Sequence, residues 1–148
     1  MVTVEVVTEI DAPPERVFDL ELDADAHAAS LAASGETAST STGRAALALG
    51  DEVTFRARHF GVRWRLTSRV TAFERPARFV DEQVRGPFRS MRHEHLFETR
   101  PDGGTRMTDR MQVESLLGGL GTRVLLAPYL RRLLQQRAGY IRARAEGD

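Results

Sequence analysis

The feature that most constrains the fold is an alternation of apolar and polar residues in the middle of the chain. From Val62 to Ala72, every second residue is an arginine or a threonine, and the residues between them are mostly apolar. Successive side chains of a β-strand point to opposite faces, so this period of two predicts a strand with one buried face. Similar segments, separated by turn residues such as Gly61, continue to Glu114. The segment 51–114 is therefore predicted to be a meander of short antiparallel strands.

A further strand and two short helices are predicted before this meander. Residues 2–10 also alternate, which predicts a half-buried strand. Asp11 and the two prolines that follow Ala12 end that strand and begin a helix, because proline is tolerated in a first helical turn. The alanine-rich segment 23–33 predicts a second helix, and a short strand is expected near Thr37 to Thr40.

After Leu116 the apolar pattern takes the period of a helix. One side of this predicted helix is apolar and most arginines are placed outside it. The apolar positions are Leu120, Val124, Ala127, Leu130, Leu134 and Ile141, and the arginines are Arg123, Arg131, Arg132, Arg137, Arg142 and Arg144. Pro128 is expected to kink or restart the helix. The order of elements predicts one α+β domain, with helices packed on one face of an antiparallel sheet.

Composition narrows the chemistry open to this domain. The 148 residues contain 21 cationic and 21 acidic side chains, and every cation is an arginine, because lysine and cysteine are absent. These absences exclude disulfides, thiolate metal ligands, cysteine nucleophiles and lysine Schiff bases. Zero net charge argues against a nucleic-acid partner. With no signal-peptide pattern and no apolar run of bilayer length, we expect a cytoplasmic protein without a membrane partner.

Several short motifs resemble those of a known superfamily. The most specific is the strand-to-helix segment 10–18, IDAPPERVF; the others are at 50–53, 79–83, 86–88, 93–98, 103–105 and 108–109. On these motifs the whole chain, 1–148, resembles the START-related, birch-pollen-allergen-like superfamily (SRPBCC), in its bacterial polyketide cyclase/dehydrase-like branch. The resemblance implies a helix-grip fold, in which a curved seven-stranded antiparallel sheet wraps around a long C-terminal helix. It also implies a cavity for hydrophobic molecules, without fixing one function.

Polar side chains on the predicted inner faces are the candidates for chemistry. His93 and His95 share one face of the strand 90–98 with apolar residues. If Gly86 to Phe88 form a turn, Asp81 lies opposite His93, and a tight turn after Pro101 places His95 opposite Asp109 or its neighbour. Side chains opposite each other on paired strands are about 5 Å apart at Cβ. The sequence therefore predicts a histidine–aspartate cluster on the concave side of the sheet.

Three interpretations of this cluster remain open from sequence. It is a satisfied polar network within the core, or an acid–base site in which His93 and His95 transfer protons and Asp81 and Asp109 orient them. In the third, the His-x-His pair and a carboxylate bind a metal ion. The third is the least favoured, and we predict neither a metal ion nor a cofactor.

Binding of a hydrophobic or aromatic small molecule, lipid- or polyketide-like, is the leading hypothesis, with or without cyclase or dehydrase activity. The residues expected to contact this ligand lie on the predicted inner faces and on the last helix. They are Phe55, His59, Trp64, Leu66, Phe79, Gln83, Met91, Phe97, Met107, Met111 and Tyr129. The alternative is a regulatory or partner-binding domain whose cavity is filled by side chains, which a small cavity would favour. The acidic N-terminal segment and basic last helix are compatible with internal ion pairing or a homodimer contact.

Overall fold

The computed structural model describes residues 1–147, which form a single seven-stranded antiparallel sheet and the helices that pack against it. The strands are β1 (Val2–Ile10), β2 (Thr37–Thr40), β3 (Glu52–His59), β4 (Val62–Glu74), β5 (Arg78–Arg85), β6 (Ser90–Thr99) and β7 (Thr105–Glu114). The helices are α1 (Pro14–Glu21), α2 (Ala24–Ser30), α3 (Gly118–Gly121) and α4 (Ala127–Gly147). A 3₁₀ turn at Ala32–Ser34 follows α2, and a π-helical segment, Thr122–Leu126, joins α3 to α4.

The sheet follows chain order from β2 to β7, and β1 pairs with the outer edge of β7. This arrangement confirms the predicted helix-grip fold, with two short helices after β1 and a long helix at the other end of the chain. The second helix is shorter than the predicted 23–33, since it ends at Ser30. No helix among residues 1–147 is both long and apolar enough to cross a membrane.

The predicted apolar stripe of the last helix is correct only in part. Leu130, Leu134 and Ile141 are buried against the sheet, as expected, but Leu120 and Val124 are 75% and 59% exposed. The π-helical segment explains the difference, because it has more residues per turn than an α-helix and so rotates the preceding residues away from the stripe. Arg137, predicted to lie mostly outside the stripe, is only 7% exposed.

The main core cluster lies between α1, α4 and the concave face of the sheet. At its centre, the fully buried ring of Phe18 makes edge contacts with Phe73, Phe79 and Phe97 at centroid distances of 5.3–5.5 Å. Each such contact adds about 0.5–1.5 kcal/mol to the free energy gained by burial. Phe18 precedes the charged end of α1 by one helical turn, so this aromatic packing also fixes the position of Glu21.

Candidate functional site

A cavity of about 460 Å³ lies between the concave face of the sheet and α4. Its volume falls within the range of about 300–1,000 Å³ that is typical of small-molecule sites. Eight of the residues expected to contact a ligand line it, and most of them are apolar or aromatic. They are Phe55, His59, Trp64, Leu66, Phe79, Met91, Met111 and Tyr129.

Three residues expected at the cavity are placed elsewhere. Phe97 and Met107, 5% and 0% exposed, belong to the core cluster around Phe18 and do not line the cavity. Their strand positions do face inward, but α1 covers this end of the sheet. Gln83 holds the turn between β5 and β6, where its Nε2 donates to the carbonyl of Phe88 at 2.8 Å and its Oε1 accepts from the amide of Phe88 at 3.2 Å.

The cavity opens between the β3–β4 turn and the segment that leads into α4. Apolar side chains at this mouth are exposed: Phe60 is 69% exposed, Leu116 75% and Leu117 55%. A hydrogen bond of 2.6 Å between His59 Nδ1 and the hydroxyl of Tyr129 joins the end of β3 to α4. The mouth is therefore apolar, with one polar bridge across it.

The histidine–aspartate cluster forms on the strands and in the register predicted from the turns. Asp81 pairs with His93 across β5 and β6, and His95 pairs with Asp109 across β6 and β7. The hydrogen bonds, however, also run diagonally. His95 Nε2 lies 2.8 Å from Asp81, and His93 Nε2 and His95 Nδ1 lie 3.1 Å and 3.2 Å from the same oxygen of Asp109. The two imidazole rings stack at 3.7 Å.

The two histidines of the cluster differ in protonation. Burial lowers the pKa of His95, but hydrogen bonds to Asp109 and Asp81 outweigh it and raise the pKa to about 9. Burial and the neighbouring charge of His95 lower the pKa of His93. Although burial opposes it, the pKa of Asp109 is held well below its usual value by hydrogen bonds from both rings. At neutral pH, His95 is therefore an imidazolium that donates to Asp81 and lies against Asp109, and His93 is neutral.

The position of each member in the cavity wall sets what it can do. Asp81 and His93 line the cavity, whereas His95 and Asp109 lie behind them at 0% and 2% exposure. Ionised Asp109 only accepts hydrogen bonds, so neutral His93 carries its proton on Nε2. The lone pair of His93 then lies on Nδ1, which makes no hydrogen bond to any of residues 1–147.

Two pairs of ionisable residues in the cavity wall were not among the candidates from sequence, nor were its other polar residues Asp23, Ser68 and Ser115. Glu21 of α1 and Arg137 of α4 form a buried ion pair at 2.5 Å. The sequence signal for them is positional, because Glu21 follows Val17 and Phe18 by one helical turn and Arg137 lies beside the buried Leu134 and Ala138.

The second of these pairs is His27 and Glu36, with His27 Nδ1 at 3.1 Å from Glu36 Oε2. Burial, partly offset by the charge of Arg137, raises the pKa of Glu36 to about 8. Burial and Arg137 hold the pKa of His27 well below its usual value. Near neutral pH this pair is therefore an uncharged carboxyl group beside an uncharged imidazole, and neither of the two facing atoms makes a hydrogen bond within residues 1–147.

Two groups of side chains have the composition of a metal site. Asp81, His93 and His95 form one, Glu21, His95 and Asp109 the other, and within each group the ligand atoms lie within 4.8 Å of one another. Both groups need His95, whose Nε2 is hydrogen-bonded to Asp81 and whose Nδ1 lies 3.2 Å from a carboxylate oxygen of Asp109. A metal ion would have to replace a proton of this imidazolium, so the donor set as folded fits a proton better than a cation.

The fold and the cavity together define a helix-grip domain that encloses an internal, largely apolar binding space. Residues 1–146 match the family described as polyketide cyclase/dehydrase and lipid transport, so the chain belongs to that family. No curated protein matches its sequence.

Solved structures with the same fold come from several sources. The protein TTHA0849 of Thermus thermophilus is 20% identical, with a TM-score of 0.74 over 97% of this chain and 99% of its own. Ara h 8.0201 is 13% identical with a TM-score of 0.75 over 99% of both chains. The major latex-like protein 151 of Panax ginseng is 15% identical with a TM-score of 0.74 over 97% of both chains. At these identities, the similarity establishes the fold.

Proposed function

We propose that this protein binds a hydrophobic or aromatic small molecule, lipid- or polyketide-like, in the cavity between the sheet and α4. The observation that carries the proposal is the cavity itself, which has about 460 Å³ of space and a wall of mainly apolar side chains. A regulatory domain with a filled interior is the alternative. The size of the cavity favours ligand binding, because it matches the volume of a drug-sized molecule.

We further propose that the bound molecule undergoes acid–base chemistry at His93. A neutral imidazole in the cavity wall, whose Nδ1 makes no hydrogen bond within residues 1–147, is suited to remove a proton from a carbon next to a carbonyl group. His95 acts as a positioning residue, because it lies behind His93 and, in addition to burial, its charge lowers the pKa of His93 and keeps that ring neutral. Asp81 and Asp109 hold His95 in place, and Asp109 also fixes the tautomer of His93. The cyclisation and dehydration reactions that give the family its description need proton transfers of this kind.

Ligand binding is tested by native mass spectrometry of the purified protein and by a variant that fills the cavity. Ala57 lines the cavity, so Ala57→Trp should abolish copurification of a small molecule and the binding of an added probe such as 2-ethylnaphthalene. Ala29→Trp, on the exposed side of α2, is the matched control and should bind like the wild type. Equal binding by both variants, with both folded, would refute the cavity as the binding site.

Proton transfer is tested separately with 1-tetralone, an aromatic ketone with exchangeable protons at C2. The wild-type protein in deuterated buffer should accelerate deuterium incorporation, followed by NMR, and His93→Gln should remove about 100-fold or more of that acceleration. Arg92→Gln, on the opposite face of β6 and outside the cavity wall, is the control and should retain it. If the wild type exchanges 1-tetralone no faster than buffer while still binding it, the acid–base proposal is wrong and ligand binding stands.

A further inference from the structure

Polar groups of the cavity wall are concentrated at its buried end. Ser68, His93 and Arg137 are 1%, 3% and 7% exposed, in contrast to the exposed apolar side chains at the mouth. They come from β4, β6 and α4, so three separate elements bring polar atoms to this end. A molecule that fills the cavity must therefore meet apolar groups near the mouth and polar groups at the buried end.

Two hydrogen-bond donors at this end have no acceptor within residues 1–147. They are the hydroxyl of Ser68 and the Nε of Arg137; the carboxylate oxygens of Glu21 and, behind the wall, the Nδ1 of His95 also lack a partner with hydrogen-bond geometry. The terminal nitrogen Nη2 of Arg137 is occupied, since it contacts the carboxylate of Glu21 at 2.5 Å and donates to the carbonyl of the same residue at 3.1 Å. A buried donor without an acceptor costs about 1–3 kcal/mol, so folded proteins rarely retain one unless water or a ligand completes it.

The charges around these donors restrict what the missing acceptor can be. Two cations, Arg137 and the His95 imidazolium, face three carboxyl groups, those of Glu21, Asp81 and Asp109. The net charge of these five groups is zero if Glu21 is protonated and negative if it is not. Burial favours the protonated form, because it raises the pKa of Glu21. An anionic ligand group would add an uncompensated buried charge, whereas a neutral oxygen would not.

We propose that the buried end of the cavity is a subsite for a neutral carbonyl or hydroxyl oxygen, which accepts hydrogen bonds from the Ser68 hydroxyl and the Arg137 Nε. The inference rests on the proposed binding function and adds the chemical class and orientation of the ligand. The ligand is an apolar molecule with one neutral oxygen group, it enters with the oxygen leading, and its hydrocarbon part lies toward Trp64 and the mouth.

Three naphthalene probes of nearly equal size test the subsite by isothermal titration calorimetry: 2-acetylnaphthalene, 2-ethylnaphthalene and 2-naphthoate. The ketone should bind the wild type about tenfold more tightly than the hydrocarbon, since one to two hydrogen bonds are gained. The carboxylate should bind more weakly than the ketone. Ser68→Ala should reduce the preference for the ketone to about threefold, and Ser90→Ala, an exposed serine on β6, should leave it at about tenfold.

Thermal unfolding without ligand supplies a second readout. Because the Ser68 hydroxyl has no partner in the folded protein, Ser68→Ala should not lower the melting temperature. Equal affinity for ketone and hydrocarbon, or an unchanged preference in Ser68→Ala, overturns the subsite and leaves the proposed binding function intact. Tightest binding of 2-naphthoate overturns the assignment of a neutral group. If none of the three probes binds, both the proposed function and the subsite are wrong.

Discussion

The protonation of His95 makes stability depend on pH in a way that can be measured. The imidazolium has carboxylates at both ring nitrogens and is fully buried, so the folded protein binds this proton more tightly than the unfolded chain does. Its pKa is about 9 in the folded protein, compared with 6.5 for an ordinary histidine. A difference of this size corresponds to about 3 kcal/mol of folding free energy.

The sign follows from which state holds the proton. Below pH 6.5 both states are protonated at His95 and the full contribution is present. As pH rises from 6.5 through 9, the unfolded chain releases its proton first, and the free energy of unfolding falls by about 3 kcal/mol. His27, His59 and His93 have lowered pKa values, so their effects lie below pH 6.5 and have the opposite sign.

The titration of Glu36 also changes stability in this pH range and must be separated from that of His95. Burial raises its pKa from 4.5 to about 8, so the folded protein also retains this proton and stability falls as pH rises between these values. The comparison is therefore made in a Glu36→Gln background, which keeps a neutral amide beside His27. Glu21, whose pKa is also raised by burial, is present in both proteins compared.

The assay is urea unfolding followed by circular dichroism, at intervals from pH 6 to 9.5. With His95 present, the free energy of unfolding should fall by about 3 kcal/mol across this range; His95→Gln should be less stable at pH 6 and show a much shallower slope. The same slope with and without His95 would refute the assignment of a buried imidazolium.

Three further predictions concern packing, the β5–β6 turn and surface charge. Phe18→Ala should lower the free energy of unfolding by about 3–5 kcal/mol, because the ring is fully buried among three other phenylalanines; a loss below about 1 kcal/mol in urea unfolding would contradict this packing. Gln83→Ala should lower the free energy of unfolding by about 1–2 kcal/mol, because the hydrogen bonds to Phe88 are lost, but should leave probe affinity in calorimetry within about twofold. A larger loss of affinity would show that Gln83 contacts the ligand. Arg65→Glu should stabilise the protein by about 0.5 kcal/mol at low salt, because Arg65 lies directly opposite Arg56, and thermal melts in 1 M salt should show the gain shrinking; a gain that salt does not change would exclude charge as its cause.

Most of the fold was predictable because it is encoded locally. Alternation from Val62 to Ala72 identifies a strand without reference to any other part of the chain, and the turn at Gly86 to Phe88 was enough to place Asp81 opposite His93. The failures occurred where a local rule was interrupted. The π-helical turn before α4 shifted Leu120 and Val124 out of the apolar stripe. The sequence prediction assumed about 3.6 residues per turn throughout the helix, so it did not include this shift.

The site was predictable only as far as strand pairing reaches. The four members of the histidine–aspartate cluster lie on adjacent strands, so register alone brings them together. Glu21 and Arg137 meet because α1 and α4 pack against each other, and helix packing leaves no comparable mark in the sequence. Gln83 alternates correctly along β5 but binds its own turn, since side-chain hydrogen bonding can override the direction set by the strand.

The order of the elements along the chain also determines when the cavity comes into existence. During synthesis β1 emerges first but must wait for β7, its partner in the sheet, whereas the strands of the meander can pair with their neighbours as they emerge. The concave face then remains open to water until α4 has left the ribosome and closes over it. Closure of the cavity therefore falls late in folding, when the nascent chain still exposes apolar surface that a chaperone or a ligand could cover. A ligand present at that stage would be enclosed as the protein folds, without having to pass through the finished mouth.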